Sequence, residues 1–138
     1  MDIRLKKNVL GLLVAILISC PPVSQVMAQS SLESSMTRGK LIYRNECMIC
    51  HAGNGEGLVR AFPPLANSDY FEDDISKAVE AISNGLEGEI VVNNETYYGL
   101  MDPIKLSNQE LADVLNYIRN SWGGKATELT ANDIEKMR

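Results

Sequence analysis

Residues 47–51 read Cys47-Met48-Ile49-Cys50-His51. This is Cys-x-x-Cys-His, the spacing of a covalent haem attachment site. Two thiols so placed can each add across a haem vinyl group. The adjoining His51 then comes under the iron as proximal ligand. Both anchors and the ligand sit on one short piece of chain, so peptide, porphyrin edge and iron become a rigid unit. Two other readings compete. A redox-active Cys-x-x-Cys asks for a surrounding βαβ pattern, and the sequence has none. A zinc site asks for another Cys or His at ligand spacing. His51 is the single histidine, and the third cysteine, Cys20, lies far upstream. The motif therefore points to one covalently bound haem c, with Cys47, Cys50 and His51 as cofactor-binding residues and His51 as an iron ligand.

Upstream of the motif, Arg4, Lys6 and Lys7 precede a short apolar run, Val9 to Ile18, that ends at Cys20-Pro21-Pro22. A positive stretch followed by a short apolar one has the form of a secretory signal. About ten apolar residues are too few to span a bilayer. Two processing routes are open. Val26-Met27-Ala28 places small residues where a signal peptidase reads, which makes residues 1–28 the signal. Alternatively, Leu17-Ile18-Ser19-Cys20 resembles a bacterial lipoprotein box. Residues 1–19 are then removed, Cys20 is lipidated, and residues 21–34 form a Pro/Ser-rich tether. Pro21 after the cysteine is unusual for that box, so cleavage after Ala28 is favoured. Residues 29–34 are expected to be loose, and the folded domain to run from 35 to 138. The expected location is the periplasm, with membrane attachment only if Cys20 is lipidated.

The chain has 138 residues and a formal net charge of −5. Without the signal, which holds Asp2, Arg4, Lys6 and Lys7, the balance is near −7. About 110 residues make one small domain. A core of that size is modest, and a covalent haem adds a large apolar plate to it. The acidic balance argues against nucleic acid, whose binders carry a basic patch. It suits redox partner proteins with a basic docking face, and it equally suits plain solubility.

The apolar spacing predicts a first helix over about Met36–Glu46, with Gly39 one turn before Tyr43. Glycine inside a helix costs about 1 kcal/mol against alanine, so it marks a close approach, with the last helix as partner. A glycine-bearing loop runs from Ala52 to Leu65. Ser68 and Asp69 can cap a helical stretch near Tyr70. A firmer helix spans about Asp74–Ser83, with Ile75, Val79 and Ile82 on one face, closed by Asn84-Gly85. Ile90-Val91-Val92 and Thr96-Tyr97-Tyr98 flank Asn93-Asn94-Glu95 as a short hairpin. Ser107 to Glu110 is a capping box that opens the last long helix. There Leu111, Val114, Leu115 and Ile118 share a buried face, and Tyr117 is expected to meet Gly39 and Tyr43. Thr130 to Asp133 can cap one or two further turns.

These elements, in this order, resemble a class I cytochrome c over residues 35 to 138. The resemblance is carried by Gly39 and Tyr43, eight and four residues before Cys47, and by Cys47, Cys50 and His51 themselves. It continues through Phe62-Pro63-Pro64-Leu65, then Met101, fifty residues after His51, and the terminal stretch Val114 to Trp122. Gly85 to Pro103 looks nearest to cytochrome modules that serve copper nitrite reductases and periplasmic dehydrogenases. Members there usually show Met-Pro, and here Asp102 intervenes. The resemblance implies an all-α fold around one haem with a short hairpin before the distal methionine. It implies an electron-transfer protein rather than an enzyme, a mono-haem carrier moving single electrons between periplasmic redox partners. The alternatives are a dedicated subunit of a dehydrogenase or reductase, and a haem enzyme or gas sensor.

With His51 used by the motif, a second histidine ligand within the chain is excluded. Of six methionines, Met1 and Met27 fall in the signal, Met48 lies between the two cysteines, Met36 sits on the first helix and Met137 in the tail. Met101 alone follows the hairpin, where a loop could fold over the distal face; a plain core methionine is the competing reading. The resemblance implies that Met101 is the second iron ligand. It also implies that the other ring nitrogen of His51 bonds to a proline carbonyl after the motif. Pro63 or Pro64 fits, and alignment with the family favours Pro64. Further haem contacts expected from apolar character and place are Leu65, Tyr70, Ile82, Tyr98 and Leu115.

Overall fold

The computed structural model describes residues 23–71 and 74–138. The charged and apolar regions of the expected signal, and Cys20, lie outside the described residues. Residues 32–138 form one compact unit. Helix α1, Val23–Ile42, belongs to it from Leu32 onward. The segment 29–34, expected to be loose, is therefore helical. Its serines are weak helix formers, but the next one, Ser35, is buried and donates to Asp113 at 2.6 Å, which helps to hold this end of the helix.

The helix continues through a π turn, Tyr43–Cys47, and closes with the single turn Met48–His51. In the π turn the Met48 N–H reaches back five residues to the Tyr43 carbonyl. In a regular helix, residues four apart drift by about 40° per step. The wider turn resets that drift. Tyr43, Cys47 and His51 are consequently all buried.

A short 3-10 turn, Asp69–Phe71, precedes helix α2, Ser76–Asn84. The Asp74 carboxylate accepts from the Ser76 backbone and hydroxyl at its start. Gly85 ends it, donating its N–H to the Ala81 carbonyl at 3.0 Å. Strands β1, Leu86–Val92, and β2, Glu95–Met101, pair antiparallel from Leu86↔Met101 to Val92↔Glu95. The hairpin is thus longer than the alternation suggested. Its turn is the two residues Asn93 and Asn94, at φ 51° and 63°. Two successive left-handed residues match the twist of the flanking strands, and asparagine tolerates them.

Helix α3, Asn108–Asn120, opens with the expected capping box of Ser107 and Glu110. Helix α4, Ala131–Met137, opens with a second, from Thr130 and Asp133. The core gathers around α3, whose Leu111, Val114, Leu115 and Ile118 are buried with Tyr43, Val79 and Ile134. The expected crossing of the first and last long helices is present. A Cβ built on Gly39 would lie 1.9 Å from the Asp113 carbonyl oxygen and 2.9 Å from Tyr117 Cβ. Tyr43, Tyr117 and Trp122 close this crossing as three mutually tilted rings with centroids 5.4 to 5.7 Å apart. Aromatic pairs prefer such tilted contacts over face-to-face stacking.

Two buried polar residues on the side of α3 opposite its apolar stripe go beyond the sequence expectation. Asp113 is 2% exposed and accepts from Arg38, Ser35 and Gln109. Asn116 is fully buried, donates to Ser35 and to the Leu129 carbonyl, and accepts from the Leu129 N–H. One helix thus fastens both α1 and the segment leading into α4, with its buried polar groups satisfied.

Candidate functional site

Cys47, Cys50 and His51 face one cavity of about 370 Å³. Its other walls come from the loop after the motif, from α2, from α3 and from the hairpin. Leu65, Tyr70, Ile82, Tyr98 and Leu115, each expected at a haem, all line it. A larger groove, about 820 Å³, lies between α2, residues 104–107 and the C-terminal residues, but contains neither thiol nor imidazole.

The loop that follows the motif is shaped by its own backbone. The Gly57 N–H bonds to the His51 carbonyl at 3.0 Å, and Leu65 and Ala66 both donate to the Gly55 carbonyl. Leu58 and Phe62 pair within it. The loop folds back and brings the Pro63 carbonyl to 2.9 Å from His51 Nδ1. A carbonyl can only accept, so Nδ1 carries the proton and Nε2 is left as the unprotonated donor atom. The acceptor is Pro63, where alignment favoured Pro64. The fold-back aims the first proline's carbonyl at the ring, and Pro64 lines the cavity beside it. Burial depresses the His51 pKa below the usual histidine range, against a smaller opposing effect of the Pro63 bond. A neutral ring is the metal-binding form.

The two thiols are unpaired; Cys47 is 7% exposed and Cys50 half-buried. Burial pushes the Cys47 thiol up to about 11, with Glu46 and Cys50 adding to it. Catalytic redox cysteines have the opposite property, a depressed pKa. Among the described residues no three of His, Cys, Asp and Glu come together as a metal cluster. Tyr43 braces the motif from behind, its hydroxyl donating to the Ala52 carbonyl at 2.6 Å.

The hairpin supplies the remaining wall. Pairing and pleat put Leu86, Gly88, Ile90 and Val92 of β1 on the same face as Tyr97, Gly99 and Met101 of β2. Met101 is the last residue of β2 rather than part of a loop, and it lines the cavity. Tyr97, 5% exposed, is the inward tyrosine; Tyr98 is 67% exposed and only borders the cavity. Its hydroxyl bonds to Glu89 across the strands. Counting in twos back from Met101 identifies Tyr97 from sequence, once the strand is known to reach that far.

The donor set suits a haem. Two thiols, one oriented imidazole and one thioether meet at a cavity whose remaining walls are largely aliphatic and aromatic, as a flat apolar cofactor with a central soft metal requires.

Residues 36–122 match the family model for cytochrome c. The chain is 36% identical over 123 residues to the cytochrome c subunit of a quinone alcohol dehydrogenase from Gluconacetobacter polyoxogenes, covering 86% of this chain and 25% of that one. It is 33% identical over 112 residues to cytochrome c-552 of Thermus thermophilus, covering 72% and 83%. A gluconate 2-dehydrogenase cytochrome c subunit from Pantoea cypripedii is 28% identical over 108 residues, covering 72% and 24%. The chain thus spans about a quarter of the length of the dehydrogenase subunits that it matches.

Proposed function

We propose, from the premise that this chain belongs to the cytochrome c family, that Cys47 and Cys50 hold its single haem c and that the protein carries electrons one at a time. The carrying observation is the meeting of two thiols, an imidazole and a thioether at one cavity. When bound, the haem supplies the one-electron couple. His51 would offer Nε2 to the metal, and the bond from Nδ1 to Pro63 fixes the ring and raises its basicity. Met101 offers a soft neutral sulfur, which favours the reduced state and so raises the potential. With the haem bound, Leu65, Ile82, Leu115 and Tyr97 would exclude water from the metal and its two ligands. The intact mass should exceed that of the polypeptide by one haem, and the haem should resist acid–organic extraction. Met101→Ala should keep the covalent haem but lose the sulfur–iron absorption near the red edge and fall in potential. A haem that extracts, or a variant with unchanged band and potential, overturns the respective assignment.

A dedicated-subunit reading is favoured by one observation, the likeness to cytochrome subunits of dehydrogenases. Purification from the native host separates the two, since a free carrier leaves its partner and a subunit co-purifies in stoichiometric amount. The upstream charge and apolar pattern supports export to the periplasm, with a lipid anchor if Cys20 is the modified residue. No helix among the described residues is long and apolar enough to cross a membrane. The net charge of −5 supports a partner with a basic docking face. The bimolecular electron-transfer rate should then fall as salt rises, because screening acts over a Debye length of about 8 Å at physiological strength. A flat rate over a salt series removes the basic face.

A further inference from the structure

Gly85 joins α2 to β1 at φ 82°. A Cβ built on it would lie 2.6 Å from the Met101 carbonyl oxygen, 3.2 Å from Pro103 Cδ and 3.3 Å from Pro103 N. The nearest of these atoms is backbone, so no side-chain rotation relieves the contact. The neighbouring residues are fastened in the same place. Leu86 pairs with Met101 in the last register of the hairpin, and the Ile104 N–H donates to the Ile82 carbonyl at 2.8 Å. The chain from Met101 to Ile104 is therefore laid along the end of α2, with the bare face of Gly85 as its closest point of approach. Asp102 separates the methionine from Pro103, and the proline ring still reaches this face.

We infer that Gly85 is a positioning residue for Met101, its missing side chain setting how far β2 carries the thioether into the cavity. The inference rests on the reading of Met101 as an iron ligand. It goes beyond ending a helix, which asks for a left-handed residue but not for a bare contact with a distant carbonyl. Gly123, after the last long helix and outside the cavity lining, is a control. It has φ 98°, and nothing lies within 4 Å of a Cβ built on it.

The test compares haem-loaded Gly85→Ala, Gly123→Ala and Met101→Ala with the wild type. Three quantities are read: the red-edge sulfur–iron band of the oxidised protein, the midpoint potential and the denaturation midpoint. Both Gly→Ala changes lower the denaturation midpoint, because both force alanine into left-handed backbone. Only Gly85→Ala weakens or abolishes the band and lowers the potential. Wild-type band and potential in Gly85→Ala, or equal shifts in Gly123→Ala, overturn the inference while Met101→Ala still responds. A silent Met101→Ala overturns the ligand reading and the inference together. If Gly85→Ala does not fold, Pro103→Ala thins the same contact from the other side. Its band and potential should move, and wild-type values there also overturn the inference.

Discussion

Arg38 and Asp113 meet in a two-pronged ion pair, Nε to Oδ2 at 2.6 Å and Nη2 to Oδ1 at 2.7 Å. The arginine is 53% exposed and the carboxylate 2%. The pair spans 75 residues of sequence and locks α1 onto α3 beside Gly39. Parallel bonds of this kind fix geometry as well as contributing energy.

Burial works to raise the Asp113 pKa, but the bonds from Arg38, Ser35 and Gln109 outweigh it and hold the carboxyl below its ordinary range. A depressed folded value means that its contribution to stability is complete above the unfolded value of about 3.9. The contribution is lost as the pH falls through the lower folded value. Acid unfolding of the wild type and of Asp113→Asn should therefore differ in slope below about pH 4 and run parallel above it. Parallel curves throughout would show that the carboxylate gains nothing from its partners.

Gly39→Ala should destabilise by about 1–3 kcal/mol, the usual cost of overpacking a tight contact. The added Cβ meets the Asp113 backbone, not a movable side chain. Alanine's better helix propensity, worth about 1 kcal/mol, offsets only part of this. Chemical denaturation measures the change. A gain in stability would mean that the helices part without strain.

Asn116→Leu should cost about 2–4 kcal/mol, since it leaves buried backbone groups of Leu129 unpaired at about 1–3 kcal/mol each. Hydrogen exchange should locate the damage. Amides of α4 should exchange faster, while those of α2 keep their protection. Uniform acceleration would make Asn116 a general core residue rather than the fastening of the C-terminal segment.

Gly57→Ala should raise the reduction potential modestly. A Cβ there would lie 2.4 Å from the Phe62 carbonyl oxygen and 2.7 Å from that of Pro63, the acceptor for His51. Displacing this acceptor weakens the bond that makes the imidazole more basic, and a less basic ligand favours the reduced metal. Voltammetry of the haem-loaded variant reads the shift, and a fall in potential would reverse the assignment of the bond.

Much of this fold is legible in the residues because local rules act alone there. The attachment motif, both capping boxes, the Asn84-Gly85 stop and the glycine at the helix crossing each follow from a few neighbours. The misses have a common cause: a partner distant in sequence decides them. Tyr98 looked as apolar as Tyr97, and only the register from Leu86↔Met101 says which of them turns inward. Asp113 and Asn116 lie off the apolar stripe of α3, and nothing near them in sequence signals Ser35, Arg38 or Leu129 opposite. The choice between Pro63 and Pro64 depends on how the loop doubles back through Gly55 and Leu65, which no local pattern encodes.

Ser35 and Asp113 are 78 residues apart, and this separation imposes an order on assembly. A contact between distant segments forms late, because the intervening chain must first be closed into a loop. The first helix thus has no docking site until α3 has been made. Until then residues 47 and 50 lie on open chain, whereas the finished fold covers Cys47 almost completely. Access to that thiol is therefore a property of the unclosed chain, and the meeting of α3 with α1 is the step that withdraws it.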